Sequence, residues 1–186
     1  MVKSYQNEGL NVYINDVAFD AQNKPLIFYV TSKGPEPGPQ NAPYTYWVAY
    51  WSGKNWQFSE VAQSDHNYDM GSFVATKNVW RILAPSVTSP QAYNTGGEMA
   101  FYESLDKGKT WIKKKEITQN SAFNHSYPRK TLNAPADFTA IWADGHGRKK
   151  SVSALYFCNE KGVVFRLPHV MKADFETPQR ITKTGF

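Results

Sequence analysis

The stretch from Ser104 to Trp111 constrains the fold of this chain more than any other, because it combines the parts of one tight turn. It reads S-x-D-x-G-x-T-W. Asp106 can accept hydrogen bonds from the backbone N–H groups of a turn, and Gly108 can adopt the positive φ that residues with a Cβ resist. Trp111 then places a large apolar face on the adjoining strand. The pattern therefore predicts the turn of a β-hairpin.

The residues on both sides of this turn, 98–104 and 112–118, have the composition of paired strands. The pattern resembles the Asp box, or BNR repeat, of β-propellers such as the sialidases. The resemblance implies a propeller blade. It implies little about function, because the Asp box usually lies on the outer turn of a blade, far from the functional site.

The composition favours an all-β protein. The 186 residues include 11 Tyr, 11 Phe and 6 Trp, and they are punctuated by 12 Gly and 11 Pro. Aromatic residues and frequent turn signals are typical of many short strands. The expected strands form three meanders, at 10–20, 25–31, 44–51 and 56–62; at 68–75, 79–84, 98–104 and 111–118; and at 126–132, 138–143, 154–159 and 163–167.

The meanders repeat at a regular interval. The turn glycines of their final hairpins, Gly53, Gly108 and Gly162, are 55 and 54 residues apart. A four-strand period of this size indicates propeller blades. We therefore predict one all-β domain over residues 1–186, a partial β-propeller of about three four-stranded antiparallel blades. The predicted blades span 10–63, 66–118 and 124–168, and the tail at 169–186 is expected to be irregular.

A ring of three blades is not expected to close, because closed propellers have roughly four to eight. We expect missing N-terminal blades or a second chain to complete it. The first residues of the chain contain no apolar segment of the signal-peptide type.

Two His-x-Tyr pairs occur at matching points of the repeat. His66 and Tyr68 open the second meander, and His125 and Tyr127 open the third. Residues two apart on a strand face the same side, so these four side chains could point into one cleft. The alternative is structural: each His would bond to neighbouring backbone and each Tyr would pack between blades.

Arg81 lies on the second strand of the second meander, after Trp80. A guanidinium there could bind a carboxylate through two parallel hydrogen bonds. The alternative is a salt bridge at the blade edge, for example with Glu98 or Asp69.

His146 and Cys158 lie at the end of one strand and on its antiparallel partner, so they could come close. They are zinc-type ligands, but zinc takes about four, and His125 or His66 could supply more. The alternative is a free buried cysteine that packs as a small apolar residue.

Six further segments are DHNYDMGS at 65–72, WRI at 80–82, GGEM at 96–99, NHSYPR at 124–129, WADGHGR at 142–148 and LYFC at 155–158. Together with the Asp box they resemble the C-terminal half of the BNR-repeat polysaccharide lyases, seven-bladed propeller enzymes that include the ulvan lyases. The likeness covers most of residues 10–170.

The resemblance implies cleavage of an acidic polysaccharide next to a uronic acid by β-elimination. It implies Tyr68 and His66 as the groups that move protons, and Arg81 as the group that neutralises the uronate. It implies sugar binding by four residues, Asn67, His125, Tyr127 and Arg129. It also implies a structural metal ion, zinc or calcium, at His146 and Cys158, and no organic cofactor. The family's other catalytic His has no counterpart in these blades, so we expect the site to be incomplete in this chain alone.

The predicted partner is an acidic polysaccharide, and the net charge of +5 mildly favours one. No nucleic-acid motif and no apolar run of membrane-spanning length are present in the sequence. The parent family is secreted or periplasmic. Two other functions remain open: a non-catalytic carbohydrate-binding propeller, and a sialidase-like glycoside hydrolase, which would need an arginine cluster.

Overall fold

The structure is a computed structural model that describes residues 2–133 and 136–182. Within these residues the protein is all-β, as predicted, with three antiparallel sheets and two short 3-10 helices at Gln6–Glu8 and Pro39–Asn41. The first sheet contains β1 (Asn11–Phe19), β2 (Pro25–Ser32), β3 (Tyr44–Trp51) and β4 (Trp56–Ser64). The second contains β5 (Ser72–Ala75), β6 (Trp80–Pro85), β7 (Met99–Ser104) and β8 (Ile112–Glu116). The third contains β9 (Asn124–Lys130), β10 (Ala140–Gly145), β11 (Leu155–Cys158), β12 (Val164–Arg166) and β13 (Gln179–Ile181).

Each sheet is a meander in chain order, and two expectations about its strands are wrong. The third sheet has five strands, because Gln179–Ile181 pairs with β12 and places Ile181 in a buried cluster beside Val164. The tail is therefore not wholly irregular. β5 begins at Ser72 and not at Tyr68, because the chain turns before it at Met70, whose φ is +59°.

The two central strands of the second sheet, β6 and β7, are buried on both faces, which explains why they are mostly apolar. Successive residues of a strand point to opposite faces. Ile82 and Tyr102 pack against the first sheet, whereas Leu83 and Phe101 pack against the third. Burying both faces ties the three sheets into a stack through two apolar clusters.

The first strands of the three sheets meet. Lys130 Nζ on β9 lies 2.9 Å from Asp16 Oδ2 on β1 and donates to the carbonyl oxygen of Phe73 on β5 at 3.1 Å. The same Asp16 oxygen accepts the backbone N–H of Phe73 at 2.7 Å. This ion pair and its hydrogen bonds to Phe73 thus join β1, β5 and β9.

The Ser104–Trp111 turn connects β7 and β8, as predicted. Asp106 Oδ1 accepts the backbone N–H groups of Lys109 and Thr110 at 3.0 and 2.9 Å. Gly108 has a φ of +82°, and a Cβ there would meet the ring of Trp80. Because β7 begins at one end of its sheet and enters this turn at the other, the loop between β6 and β7 lies at the opposite end from the Asp box.

Candidate functional site

A cavity of about 590 Å³ lies at the end of the sheets opposite the Asp box. Its walls include the loops that follow the second strand of each sheet, at 35–40, 94–95 and 147–148, and three side chains, His66, Tyr68 and Tyr127. Three of the residues predicted for the site are therefore brought together here. Loops held by a rigid scaffold are where proteins most often place binding groups.

Two buried asparagines, near the starts of the second and third meanders, hold these loops. Asn67 Nδ2 donates to the carbonyl oxygen of Pro35 at 3.1 Å. Asn124 Nδ2 donates to the carbonyl oxygens of Gln91 and Asn94 at 2.9 and 3.2 Å. Asn67 was predicted to bind substrate. The structure buries it completely below the loop, so it positions the cavity wall.

Asp69 forms a buried hydrogen-bonded centre directly behind the cavity. Its carboxylate accepts the hydroxyl of Tyr46 at 2.9 Å, the hydroxyl of Ser64, and the backbone N–H of Gly96 at 2.9 Å. Burial raises the pKa of Asp69 to about 7, against the lowering effect of these donors. The contacts connect β3, the end of β4 and the β6–β7 loop, and so fix the floor of the cavity.

His66 is buried, and its ring orientation is fixed. Nδ1 accepts the backbone N–H of Tyr68 at 2.9 Å, so the proton of the neutral ring is on Nε2. Burial, and to a smaller extent the positive charge of Arg148, lower the pKa of His66 to about 4. Nδ1 is also 3.5 Å from Asp69 Oδ1, but a neutral imidazole makes no ion pair there.

Tyr68 presents its ring at the cavity. The side chain is 42% exposed and contacts the ring of Tyr13 edge-on at 5.2 Å between centroids. Partial desolvation raises the pKa of the Tyr68 phenol, and the neighbouring Tyr13 raises it further. Tyr68 lies in the connection before β5 and not on the strand itself, contrary to the prediction.

The second His-x-Tyr pair does not share one face. Tyr127 is 47% exposed at the cavity, whereas His125 is fully buried. Tyr127 has a φ of +57°, and the register between β9 and β10 shifts at this point, so a bulge breaks the expected alternation. His125 Nδ1 accepts the indole N–H of Trp142 at 2.9 Å, so a side chain of β10 holds this ring, and not the neighbouring backbone that the structural alternative proposed.

Arg81 lies outside the cavity. Its Nε and Nη2 are 2.8 and 2.6 Å from Glu103 Oε1, and its Nη1 donates to the carbonyl oxygen of Glu160 at 2.8 Å. It borders a separate cavity of about 190 Å³ between the second and third sheets. The salt-bridge alternative holds for Arg81, with Glu103 as the partner in place of Glu98 or Asp69.

His146 and Cys158 do not fit a shared metal site. Cys158 is paired in register with Ala140, whereas His146 follows the far end of β10 at Gly145. His146 is six residues along the chain from Ala140, and six residues of extended strand span about 20 Å. Within residues 2–133 and 136–182, no group of three or more His, Cys, Asp and Glu side chains is arranged to hold a metal ion. The expectation that the pair comes close is wrong, and the metal ion itself stays a prediction.

Cys158 and His146 have other surroundings. Burial raises the pKa of the Cys158 thiol to about 11, as expected of a packed free cysteine. His146 Nδ1 accepts the backbone N–H of Arg148 at 3.2 Å and lies 3.2 Å from Asn94 Nδ2. His146 therefore holds the β10–β11 loop against the β6–β7 loop, at the rim of the cavity.

Two charged residues of the cavity were missed from the sequence, Glu36 and Arg148. Arg148 was part of a quoted segment, but only its neighbour His146 was assigned a role. The available signal was positional: Arg148 follows the second strand of its meander, as residues 35–40 and 94–95 follow theirs. Arg129, which was predicted to bind sugar, is exposed on β9 opposite Ile141 and is not part of the cavity wall.

The cavity combines groups suited to a sugar ring with an acidic substituent. Exposed tyrosine rings can pack on the apolar face of a pyranose, and a guanidinium can bind a carboxylate through two hydrogen bonds. Tyr68 and the Nε2–H of His66 are the groups able to exchange or share a proton with a bound molecule.

Comparisons with known proteins gave no match: no family model, no curated protein and no solved structure matches the chain. In the part of the chain that the structure describes, no helix has the length and apolar character needed to cross a membrane.

Proposed function

We propose that this chain is a polysaccharide lyase, or part of one, that binds a uronate-containing polysaccharide such as ulvan and cleaves it by β-elimination. The observation that carries the proposal is the cavity at the end of the sheets opposite the Asp box, here called the loop-end cavity. Its wall includes Tyr68, His66, Tyr127 and Arg148. The likeness of the surrounding segments to the BNR-repeat lyases supports the same reaction.

The proposal includes the arrangement of the sheets as consecutive blades of a β-propeller. Three observations support it: the repeat of 54 to 55 residues, the meeting of β1, β5 and β9 through Lys130 and Asp16, and the equivalent loops that share one cavity. Further blades or a second chain would complete the ring. Phe157 and Phe165, whose rings stack at 5.0 Å, are only partly buried and offer apolar area for packing.

In the proposed reaction the Tyr68 phenolate takes the proton from C5 of the uronate. The electron pair of the C5–H bond forms the C4–C5 double bond as the C4–O bond breaks. The proton then passes from the Tyr68 phenol to the departing oxygen, which restores the phenolate. His66 donates its Nε2–H as a hydrogen bond to the reacting oxygens, because Nδ1 is already occupied.

Charge that accumulates on the uronate carboxylate has to be met by a cation or by donors aimed at it. Arg81 was assigned this role from the sequence, but its guanidinium is already paired with Glu103. Arg148 is the arginine that lines the cavity, so the role passes to it in this proposal.

A non-catalytic carbohydrate-binding protein is the second candidate, and one observation favours it. The raised pKa of Tyr68 leaves little phenolate at neutral pH, so the tyrosine is a weak base without a bound cation. A sialidase-like hydrolase has less support, because the described cavity wall contains one arginine and not a cluster.

The experiment that tests the proposal follows the ultraviolet absorbance of the unsaturated uronate during incubation with ulvan. In the protein whose ring is completed by the further blades or the second chain, we expect the wild-type absorbance to rise and the Tyr68→Phe variant to show no rise while remaining folded. Tyr93→Phe is the matched control, because Tyr93 is 41% exposed and is not part of the cavity wall. Binding of ulvan without any rise in absorbance would replace the lyase with the second candidate.

A further inference from the structure

Arg81 and Arg148 differ in whether their guanidinium groups are already paired with a carboxylate. Arg81, outside the cavity, directs Nε and Nη2 to Glu103. Arg148, at the cavity, directs Nη2 to the carbonyl oxygen of Tyr93 at 2.8 Å. Among the ion pairs of the described residues none involves Arg148. A guanidinium has five N–H donors, so Arg148 keeps donors for an anion.

The loop holds Arg148 in place for such a contact. The backbone N–H of Arg148 is bonded to His146, and its side chain is bonded to the β6–β7 loop through Tyr93. Tyr93 is itself tied down, because its backbone N–H donates to Asp65 Oδ2 at 2.7 Å. A cation fixed at both its backbone and its side chain loses less conformational entropy when it binds a ligand.

The field of Arg148 reaches the reacting groups. Arg148 and His66 both line the cavity, and the positive charge of Arg148 contributes to the lowered pKa of His66. An anion bound at Arg148 therefore lies near His66 and, through it, near Tyr68. Glu36 is exposed on the wall formed by the β2–β3 loop and would repel an anion there, so it disfavours placing the acidic group on that side.

We infer that Arg148 determines the specificity of this cavity for acidic sugars: its guanidinium binds the carboxylate of the uronate ring, with the rings of Tyr68 and Tyr127 against the sugar. This inference rests on the proposed function. The β10–β11 loop, which carries Arg148, would then determine whether the cavity prefers acidic or neutral saccharides.

The test compares binding of ulvan oligosaccharides with binding of the same oligosaccharides after carboxyl reduction, by titration calorimetry. The wild type should prefer the acidic form by about tenfold or more, as hydrogen bonds to a charged group predict. Arg148→Gln should lose that preference and bind both forms alike. Lys149→Gln is the matched control, because it removes one positive charge from the adjacent exposed position outside the cavity wall.

Glu36→Gln supplies a second, independent readout. Removing the repelling carboxylate should strengthen binding of the acidic form about two- to fivefold and leave the reduced form unchanged, as for an exposed charge pair in solvent.

The possible results distinguish the role of Arg148 from the proposed function of the cavity. If wild type and Arg148→Gln show the same preference for the acidic form, the role of Arg148 is wrong and the carbohydrate site stands. If the Lys149→Gln control loses the preference as well, the effect is one of net charge and the assignment is also overturned. If the wild type binds neither form, the proposed function fails, and the specificity inference fails with it.

Discussion

Nδ1 of His66 accepts the backbone N–H of Tyr68 at 2.9 Å, so the buried imidazole is held as the neutral tautomer with its proton on Nε2. The contact joins the two residues that the proposed reaction uses to move protons. It also removes Nδ1 from any role as a base, and leaves Nε2–H as a donor.

The buried histidines predict acid sensitivity of the fold. Burial lowers the pKa of both His66 and His125 to about 4, whereas an unfolded histidine titrates near 6.5. Between these values the unfolded chain binds two protons that the folded chain does not, so stability falls as the pH falls. Asp69 opposes this, because its folded pKa of about 7 lets the folded chain keep a proton that the unfolded chain releases.

For His66, His125 and Asp69 together, the balance between these pH values is one proton in favour of the unfolded chain. Lowering the pH from about 6.5 to about 4 should reduce the free energy of unfolding by about 3 kcal/mol. Urea unfolding at several pH values measures it. Stability that is flat or that increases on acidification would show that the histidines are not buried as neutral groups.

Arg81→Gln should reduce stability without affecting ligand binding. The substitution removes the ion pair with Glu103 and should lower the free energy of unfolding by about 1 to 2 kcal/mol. Arg148→Gln should show the reverse pattern, with unchanged stability and weakened binding of the acidic saccharide. Urea unfolding and titration calorimetry on both variants check this, and a loss of binding in Arg81→Gln alone would restore the role that the sequence suggested.

Asn124→Ala should loosen one wall of the cavity. The side chain donates to Gln91 and Asn94 from a fully buried position, so its removal leaves buried carbonyl groups without partners. We expect a loss of about 2 to 3 kcal/mol in the free energy of unfolding and faster amide exchange in residues 86–97. Unchanged exchange in that loop would mean that the asparagine does not hold it.

Gly108→Ala should damage the fold at the Asp box and leave the cavity intact. An added Cβ would lie 2.4 Å from the ring of Trp80 in a backbone with a φ of +82°. Strain and contact together should cost about 2 kcal/mol or more. Gly9→Ala isolates the strain, because Gly9 has a φ of +64° and open space around it. Equal losses in the two variants would contradict the packing of Trp80 against the turn.

The strand pattern of this chain could be predicted from its sequence because aromatic runs and turn residues alternate so regularly. Apart from β5, each predicted strand lies within two residues of an observed one, and β3 agrees at both ends. Gly108 marked the turn because its positive φ is a backbone requirement that one residue type satisfies readily. β13 was missed because three mostly polar residues carry no strand signal on their own.

The side-chain partners in the site were less predictable, for physical reasons. Residues two apart share a face only in an unbroken strand, and the bulge at Tyr127 separated it from His125. Arg81 was assigned to a ligand because nothing in the sequence shows that Glu103 lies opposite it on β7. Arg148 was passed over because the meeting of three loops from three sheets is a property of their packing and not of local sequence.

The most direct test of the central claim, that the loop-end cavity is the carbohydrate site, is amide hydrogen exchange with and without ulvan oligosaccharide. The account predicts slower exchange in residues 35–40, 93–97 and 146–150 when the ligand is bound, and no change in the Asp box at 104–111. Protection at the Asp box without protection of the three loops would contradict it.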